Sequence, residues 1–148
     1  MTVENSLIDE IDRRIIDILQ MEGRISWKDL ADRVHLAPSS VADRVRRLEA
    51  TGVVRGYGVR LDRAALGRTV RAVIDVALAP GADPAAFEAQ LAARDEVELA
   101  VYVTGPFDYS VVVDCEGADG LDGFIRWLKV SAGAARTESK FVLRPIIG

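Results

Sequence analysis

Apolar residues recur at helical spacing from the start of the chain. Within residues 7–19 the apolar positions share one face and the charged positions share the other, which predicts an amphipathic helix with Ser6 as its N-cap. Gly23 is expected to end this helix, because glycine enters left-handed conformations without a steric penalty. A second, short helix is predicted from a cap at Ser26 to about Val34.

A tight turn separates this helix from a third. Pro38 disfavours helical backbone at the residue before it, so a new helix is predicted with Ser39 or Ser40 as its cap. Its apolar residues Val41, Val45 and Leu48 lie at i, i+4 and i+7 and form one stripe. The pattern leaves six residues pointing outward: Ser39, Ser40, Asp43, Arg44, Arg46 and Arg47. Residues 53–59, with their two glycines, are predicted to form a short strand pair, a wing.

Two short helices joined by a tight turn are typical of a helix-turn-helix, whose second helix enters the major groove of B-DNA. Arginine can donate two parallel bonds to guanine or pair with phosphate, and serine can bind phosphate or base edges. The six outward residues of the third helix are therefore the predicted contacts to double-stranded DNA. The alternative is that the arginines only solvate the helix and pair with Asp43 and Glu49.

The second half of the chain changes to a period of two. Strands are predicted at residues 70–78, 97–104, 109–115 and 134–143, with helices at 84–94 and 121–130. This order, strand, helix, strand, strand, helix, strand, predicts a ferredoxin-like antiparallel sheet with both helices on one side. The fold class is thus α+β, with a winged helix-turn-helix domain at residues 1–59, a linker at 60–68 and a ferredoxin-like domain at 69–148.

The predicted strands are apolar on both faces, although two helices can cover only one of them. A second copy of the same domain is the simplest cover for the other face, since an isologous pair buries the same surface twice. A homodimer also suits DNA binding, because one recognition helix reads few base pairs and two helices one helical turn apart read more.

Charge is divided unevenly along the chain. The net charge of the whole sequence is −4, but residues 24–60 carry eight Lys and Arg against four acids, while the segments on either side are acidic. Phosphate attraction is local because salt screens charges beyond about 8 to 10 Å. The segment 24–60 is therefore the candidate nucleic-acid surface.

Several other function classes are disfavoured by composition. No apolar run reaches the length of a membrane span, and a single cysteine, Cys115, lies in an apolar run that suits a buried, reduced thiol. We therefore expect a cytoplasmic protein with no membrane partner. No Cys/His spacing for a metal and no nucleotide-binding loop is present, so no cofactor and no metal are expected.

An ordered set of short motifs resembles the Lrp/AsnC family, also called leucine-responsive or feast/famine regulators, over nearly the whole chain. The motifs are LIDEIDRRI at 7–15, DILQMEGRIS at 17–26, Leu30-Ala31, Val41, RVRRLE at 44–49, GVVRGY at 52–57, VTG at 103–105 with DY at 108–109, and RTES at 136–139 before FVL at 141–143.

The resemblance implies a transcription regulator that forms dimers, and often octameric rings, and binds an amino acid or related metabolite between dimers. The residues it implies for the effector site are Tyr102, Thr104, Gly105, Pro106, Phe107, Asp108, Thr137 and Ser139. A glycine loop can offer amides to a carboxylate, and Asp108 can accept from an ammonium, or it can instead bond back to its own loop. Pro106 replaces an acidic residue common in the family and removes one amide donor.

Two other functions are considered. Decarboxylases of haem precursors have a similar two-domain scaffold but rely on histidines, and His35 is the only histidine of this chain and lies in the DNA-reading half. The sequence therefore indicates that the protein is not an enzyme. The second alternative is a DNA-binding assembly protein that has no small-molecule effector.

Overall fold

A computed structural model of the protein describes residues 8–144 and residue 146. The chain divides into two compact units, Met1–Arg60 and Leu61–Gly148. None of the helices within the described residues is long and apolar enough to cross a membrane.

The first unit contains three helices, α1 (Glu10–Met21), α2 (Trp27–Val34) and α3 (Pro38–Ala50). Their apolar stripes meet in one core, as the spacing predicts. The buried side chains of this core are Ile15, Leu30, Ala31, Val34, Val41, Val45 and Leu48. Between α2 and α3, His35 adopts a left-handed backbone, with φ 57° and ψ 47°, and reverses the chain. The predicted helix-turn-helix is therefore present.

The caps of these helices agree with the sequence only in part. Ser26 caps α2, and its side chain accepts a hydrogen bond from the Asp29 amide at 3.1 Å, as predicted. The proposed cap Ser6 lies outside the described residues, and Asp9 caps α1 instead. The prediction that Ser39 or Ser40 caps α3 is wrong. Pro38 is the first helical residue, a position at which its fixed φ and missing N–H carry no cost.

The predicted wing is also wrong for this chain. Residues 53–60 follow α3 without any strand. An isolated two-stranded hairpin is marginal in water unless it packs on another element. Here Val53, Tyr57 and Val59 remain exposed, so they bury no common face that would hold a hairpin together.

The second unit is an α+β sandwich of one sheet and two helices, preceded by a short 3-10 helix at Ala64–Leu66 within the predicted linker. Its elements are β1 (Val70–Leu78), α4 (Pro84–Ala92), β2 (Val97–Tyr102), β3 (Tyr109–Cys115), α5 (Gly117–Val130) and β4 (Ala134–Phe141). The strand order is β2-β3-β1-β4, and every neighbouring pair is antiparallel. This confirms the ferredoxin-like prediction.

Both helices pack on one face of the sheet. Alternate residues of β1, Ala72, Ile74 and Val76, are fully buried beneath Phe87 of α4 and Phe124 of α5. The residues between them on β1 face the other side, which neither α4 nor α5 covers. We call this side the open face. It is the surface for which the alternating pattern predicts a partner.

Candidate functional site

The first candidate site is the outer surface of α3. Ser39, Ser40, Asp43 and Arg46 are exposed there, as the helical spacing predicts. Arg46 donates from Nη1 to Asp43 Oδ1 at 2.6 Å, a surface pair one helical turn apart. Exposed pairs of this kind contribute little, so the Arg46 guanidinium can exchange Asp43 for another anion at small cost.

Arg44 does not point outward, and that prediction is wrong. Its Nη1 donates to Asp9 Oδ2 at 2.6 Å and to Asp12 Oδ1 at 2.8 Å, and only 25% of its side chain is exposed. The reason is its position on the helix, because residue 44 lies three residues after Val41 and four before Leu48. It therefore borders the buried stripe and faces α1.

Asp12 is fully buried, and it binds a second arginine of α3. Arg47 donates from Nη2 to Asp12 Oδ2 at 2.5 Å, while 49% of its side chain stays exposed. Asp12 Oδ2 also accepts from the Asp9 amide at 3.1 Å, and Asp9 Oδ1 accepts from the Asp12 amide at 2.8 Å. Two carboxylates of α1 and two guanidinium groups of α3 thus form one network, which we call the α1–α3 cluster.

The charges of the α1–α3 cluster stabilise one another. The backbone N–H of Asp12, followed by the Arg44 guanidinium, lowers the pKa of the Asp9 carboxyl. The hydrogen bond from Arg44 to Asp9, followed by its hydrogen bond to Asp12, raises the pKa of Arg44. Sequence reasoning placed Asp9 and Asp12 on the solvent face of the first helix and missed this role. The available signal was the presence of acids at the start of α1 together with arginines bordering the α3 stripe.

The second candidate site is the loop between β2 and β3. Thr104, Gly105 and Pro106 are exposed at its tip, and Gly105 has φ +117°, a conformation that favours glycine. Asp108 pins the loop to β1, because its Oδ2 accepts from the Leu78 amide at 2.8 Å and its own amide donates to the Val76 carbonyl at 2.9 Å. Asp108 therefore has a structural role, but its side chain bonds to β1 rather than to its own loop, which was the alternative that the sequence left open.

A side chain of β4 also reaches this loop. The Arg136 guanidinium lies 4.3 Å from the centre of the Phe107 ring, in a cation–π contact. Thr137 pairs with Val76 and so lies at the same end of β1 as Asp108, whereas Ser139 pairs with Ile74, further along the strand. The structure thus brings the loop and Thr137 to one end of the sheet. It adds Arg136, which sequence reasoning did not single out.

Tyr102, the remaining predicted effector residue, is exposed and lines a cleft of about 430 Å³ between α4 and β2, together with Glu88 and Leu91. Its ring meets Tyr109 edge-on, with centroids 5.3 Å apart. The Tyr109 hydroxyl donates to Glu88 Oε1 at 2.8 Å, and burial, with help from Glu88, raises the Tyr109 pKa to about 12. Tyr102 thus lines this cleft, whose lining includes no residue of the loop Thr104–Asp108.

The open face of the second unit combines apolar and charged side chains. The strand registers place the following residues on it: Arg71, Val73, Asp75, Ala77, Leu99, Val101, Ser110, Val112, Asp114, Arg136, Glu138 and Lys140. Lys140 donates to Asp75 Oδ2 at 2.5 Å. Leu99 and Val101 remain exposed.

Asp114 is the buried charge of the open face. It accepts two bonds from Arg71, from Nε at 2.7 Å and from Nη2 at 2.8 Å. Arg63, just before the 3-10 helix, bonds to Glu98 and lies 3.8 Å from Asp114 through its Nε. The bonds from Arg71 lower the pKa of the Asp114 carboxyl below its ordinary value. Arg63 thereby ties the segment before the sheet to β2 and β3.

Neither unit offers a metal site within residues 8–144 and 146, since no cluster of His, Cys, Asp and Glu there could hold an ion.

Known proteins match the chain along both units. A family model for the AsnC-type helix-turn-helix domain matches residues 8–49, and one for the Lrp/AsnC ligand binding domain matches residues 71–147. The HTH-type transcriptional regulator LrpA of Mycobacterium tuberculosis is 33% identical over 139 residues, which are 94% of this chain and 92% of that protein.

Two similar solved structures contain an amino acid. A feast or famine regulatory protein from M. tuberculosis complexed with L-methionine is 32% identical, covers 95% of each chain and has a TM-score of 0.88. A transcriptional regulator of Neisseria meningitidis in complex with L-methionine is 29% identical, with 95% of this chain and 93% of that chain covered and a TM-score of 0.89.

The two hydrogen bonds from Arg71 to Asp114 predict a specific pH dependence of folding. Because the folded pKa of Asp114 is depressed, its contribution is present above the unfolded pKa near 3.8 and is lost as the pH falls through the lower folded pKa. Asp114→Asn should lower the free energy of unfolding at pH 7 by about 1 to 3 kcal/mol. The deficit should shrink as the pH falls below about 4.

Urea unfolding of the parent and the variant at pH 7, 4 and 3 measures this deficit. Asp122→Asn is the matched control, because Asp122 forms an exposed pair with Arg126 and should change stability little at any pH. A deficit for Asp114→Asn that stays constant from pH 7 to pH 3 would contradict the prediction.

Proposed function

The chain belongs to the Lrp/AsnC family of transcriptional regulators, and we propose that it binds specific DNA sequences through α3 and senses an amino acid or related metabolite through its second unit. The proposal that α3 binds DNA rests mainly on its outer surface. Half of the Arg47 side chain is exposed there, together with Arg46, Ser39 and Ser40. These groups can donate to phosphates and base edges.

Within that surface the arginines have different roles. Arg46 is held only by an exposed partner, Asp43, and Arg47 by one buried carboxylate, so both retain free N–H donors. Arg44 uses Nη1 for two carboxylates and is three-quarters buried, so we assign it to the anchoring of α3 rather than to DNA. Ser39, Ser40, Asp43, Arg46 and Arg47 remain the proposed DNA-binding residues.

We propose that the active form is a homodimer formed through the open face, with an octamer as a further assembly. Exposed Leu99 and Val101 lie on that face beside partly buried Val112, and a second copy would cover them. Pairing also places two α3 helices on one DNA molecule, which the small reach of a single helix requires for specificity. Such a DNA-bound regulator acts in the cytoplasm, through binding rather than catalysis.

The effector site is proposed at the loop Thr104–Asp108 with Thr137. Gly105 and its neighbours are exposed there, and the loop is already folded by Asp108. The L-methionine in the two similar structures supports an amino acid as the class of ligand. One observation favours the second candidate, a regulator without an effector. Asp108 uses one carboxylate oxygen for β1, and Pro106 offers no amide, so two of the expected polar contacts are reduced.

Removing Arg47 should weaken DNA binding. Arg47→Ala should cost about 1 to 3 kcal/mol of binding free energy, because one charge-assisted contact is lost. Fluorescence anisotropy with a duplex selected from a random library by the parent protein measures the loss at matched salt. Arg13→Ala is the control, because it removes the same charge from an exposed position of α1. Equal affinities of Arg47→Ala and the parent would remove Arg47 from the interface.

A charge on the open face should separate the dimer. Val101→Asp places a carboxylate in the proposed contact, where its desolvation is unfavourable, and should give a monomer at micromolar concentration. Ala100→Asp is the matched control, because this neighbouring exposed residue faces the opposite side of β2. Analytical ultracentrifugation distinguishes the two states. A parent protein that is already monomeric, or a Val101→Asp variant that remains dimeric, would refute this interface.

The charge of Asp108 should matter to the effector. Asp108→Asn keeps an oxygen for the Leu78 amide but removes the ionised group, so affinity should fall about tenfold while DNA binding without ligand is unchanged. Isothermal titration with L-methionine, or with another amino acid chosen by a thermal-shift screen of the twenty, measures this loss. Asp119→Asn, in the first turn of α5, serves as the control.

The possible results separate the candidate functions. An unchanged ligand affinity would leave Asp108 with its structural role alone. A parent protein that binds none of the twenty amino acids would favour the regulator without an amino-acid effector.

A further inference from the structure

Asp12 is a fully buried carboxylate whose partners come from the helix that we propose reads DNA. It accepts from Arg44 at 2.8 Å, from Arg47 at 2.5 Å and from the Asp9 amide at 3.1 Å. A carboxylate buried in this way requires compensating donors. Arg44 and the Asp9 amide already supply two of them, and Arg47 supplies a third from a guanidinium that is half exposed.

The geometry of Arg47 leaves donors for another acceptor. A guanidinium carries five N–H groups in a rigid planar fork, and the bond to Asp12 is made by Nη2. The exposed remainder of the fork is thereby held in one orientation at the edge of α3. A free arginine would lose its rotamer freedom when it bound, whereas this one is ordered in advance.

We propose that Asp12 is a positioning residue for DNA binding, which holds the Arg47 guanidinium so that its free N–H groups meet the DNA. Arg44, bound to both Asp9 and Asp12, anchors the arrangement and makes no DNA contact. The proposal rests on DNA binding by α3 and adds a residue of α1 to the groups that determine its strength. Asp12 itself touches no nucleotide.

Two effects of Asp12 must be separated in a test. Its negative charge repels DNA at a distance, and its hydrogen bond orders Arg47. Asp17→Asn removes the same charge from an exposed position of the same helix, and no side-chain hydrogen bond or ion pair within the described residues involves Asp17. The difference between Asp12→Asn and Asp17→Asn therefore measures the ordering of Arg47.

The experiment compares DNA affinities of the full chain by fluorescence anisotropy, at one salt concentration and at a temperature where circular dichroism shows every variant folded. Asp17→Asn should bind as the parent does or slightly more tightly. Asp12→Asn should bind about three- to tenfold more weakly than Asp17→Asn, as expected for one side chain that must be ordered on binding. In an Arg47→Ala background the difference between the two asparagine variants should vanish.

Other results would overturn the proposal. Asp12→Asn binding as tightly as Asp17→Asn would reduce Asp12 to a stabiliser of the fold. A difference that persists without Arg47 would show that Asp12 acts through the placement of α3 as a whole. A parent protein that binds no DNA would instead refute the proposed function. The comparison among variants tests only the role of Asp12 and presupposes that the parent binds DNA.

Arg47→Lys provides a second test if Asp12→Asn fails to fold. Lysine supplies the same charge from a single nitrogen and lacks the planar fork that can hold Asp12 and DNA together. Its affinity should therefore lie near that of Arg47→Ala. Parent-like affinity of Arg47→Lys would show that a point charge at this position suffices, and the proposal would be wrong.

Discussion

Each unit of this protein takes one carboxylate out of water and surrounds it with arginines from another element. Asp12 of α1 receives Arg44 and Arg47 of α3, and Asp114 of β3 receives Arg71 of β1 with Arg63 nearby. A buried charge is tolerated only where its donors are correctly placed, so each carboxylate specifies the position of the elements that carry those donors. Apolar packing brings the helices and the sheet together, and these two clusters restrict how they align.

The burial of Asp12 gives the arginines of α3 different roles. All three carry the same charge, but their positions relative to the apolar stripe of α3 decide which partners they have and how exposed they are. Arg44 borders the stripe and is bound by the acids Asp9 and Asp12. Arg46 lies on the far side of the helix and pairs only with an exposed acid. Arg47 is intermediate, because it binds a buried acid and yet keeps half of its side chain exposed. The net charge of a segment therefore overstates the number of cations available to a nucleic acid.

Local patterns were sufficient for most of the fold. The alternation over residues 70–78 predicted β1 with its observed ends, and the helix predicted from residue 84 begins there as α4, because both predictions depend on neighbouring residues only. The prediction of a wing at residues 53–59 was wrong because a hairpin requires a surface to pack on, and the sequence of the hairpin does not show whether such a surface exists. The outward orientation predicted for Arg44 was wrong because the stripe of Val41, Val45 and Leu48 marks only the centre of the buried face, and Arg44 lies at its border. The roles of Asp12 and Arg136 depend on contacts between residues distant in sequence, such as the 35 residues that separate Asp12 from Arg47.

The pinning of the β2–β3 loop by Asp108 has a consequence for how such proteins diversify. The bonds from the loop to β1 involve the Asp108 side chain and backbone, so the hairpin does not depend on the side chains of Thr104 or Phe107. The bonds from Asp108 to β1 would therefore survive substitution of those two side chains. If the proposed effector site is correct, a stable frame carrying replaceable side chains would allow gene duplicates to acquire new ligand preferences one mutation at a time, while the sheet and its open face stay intact.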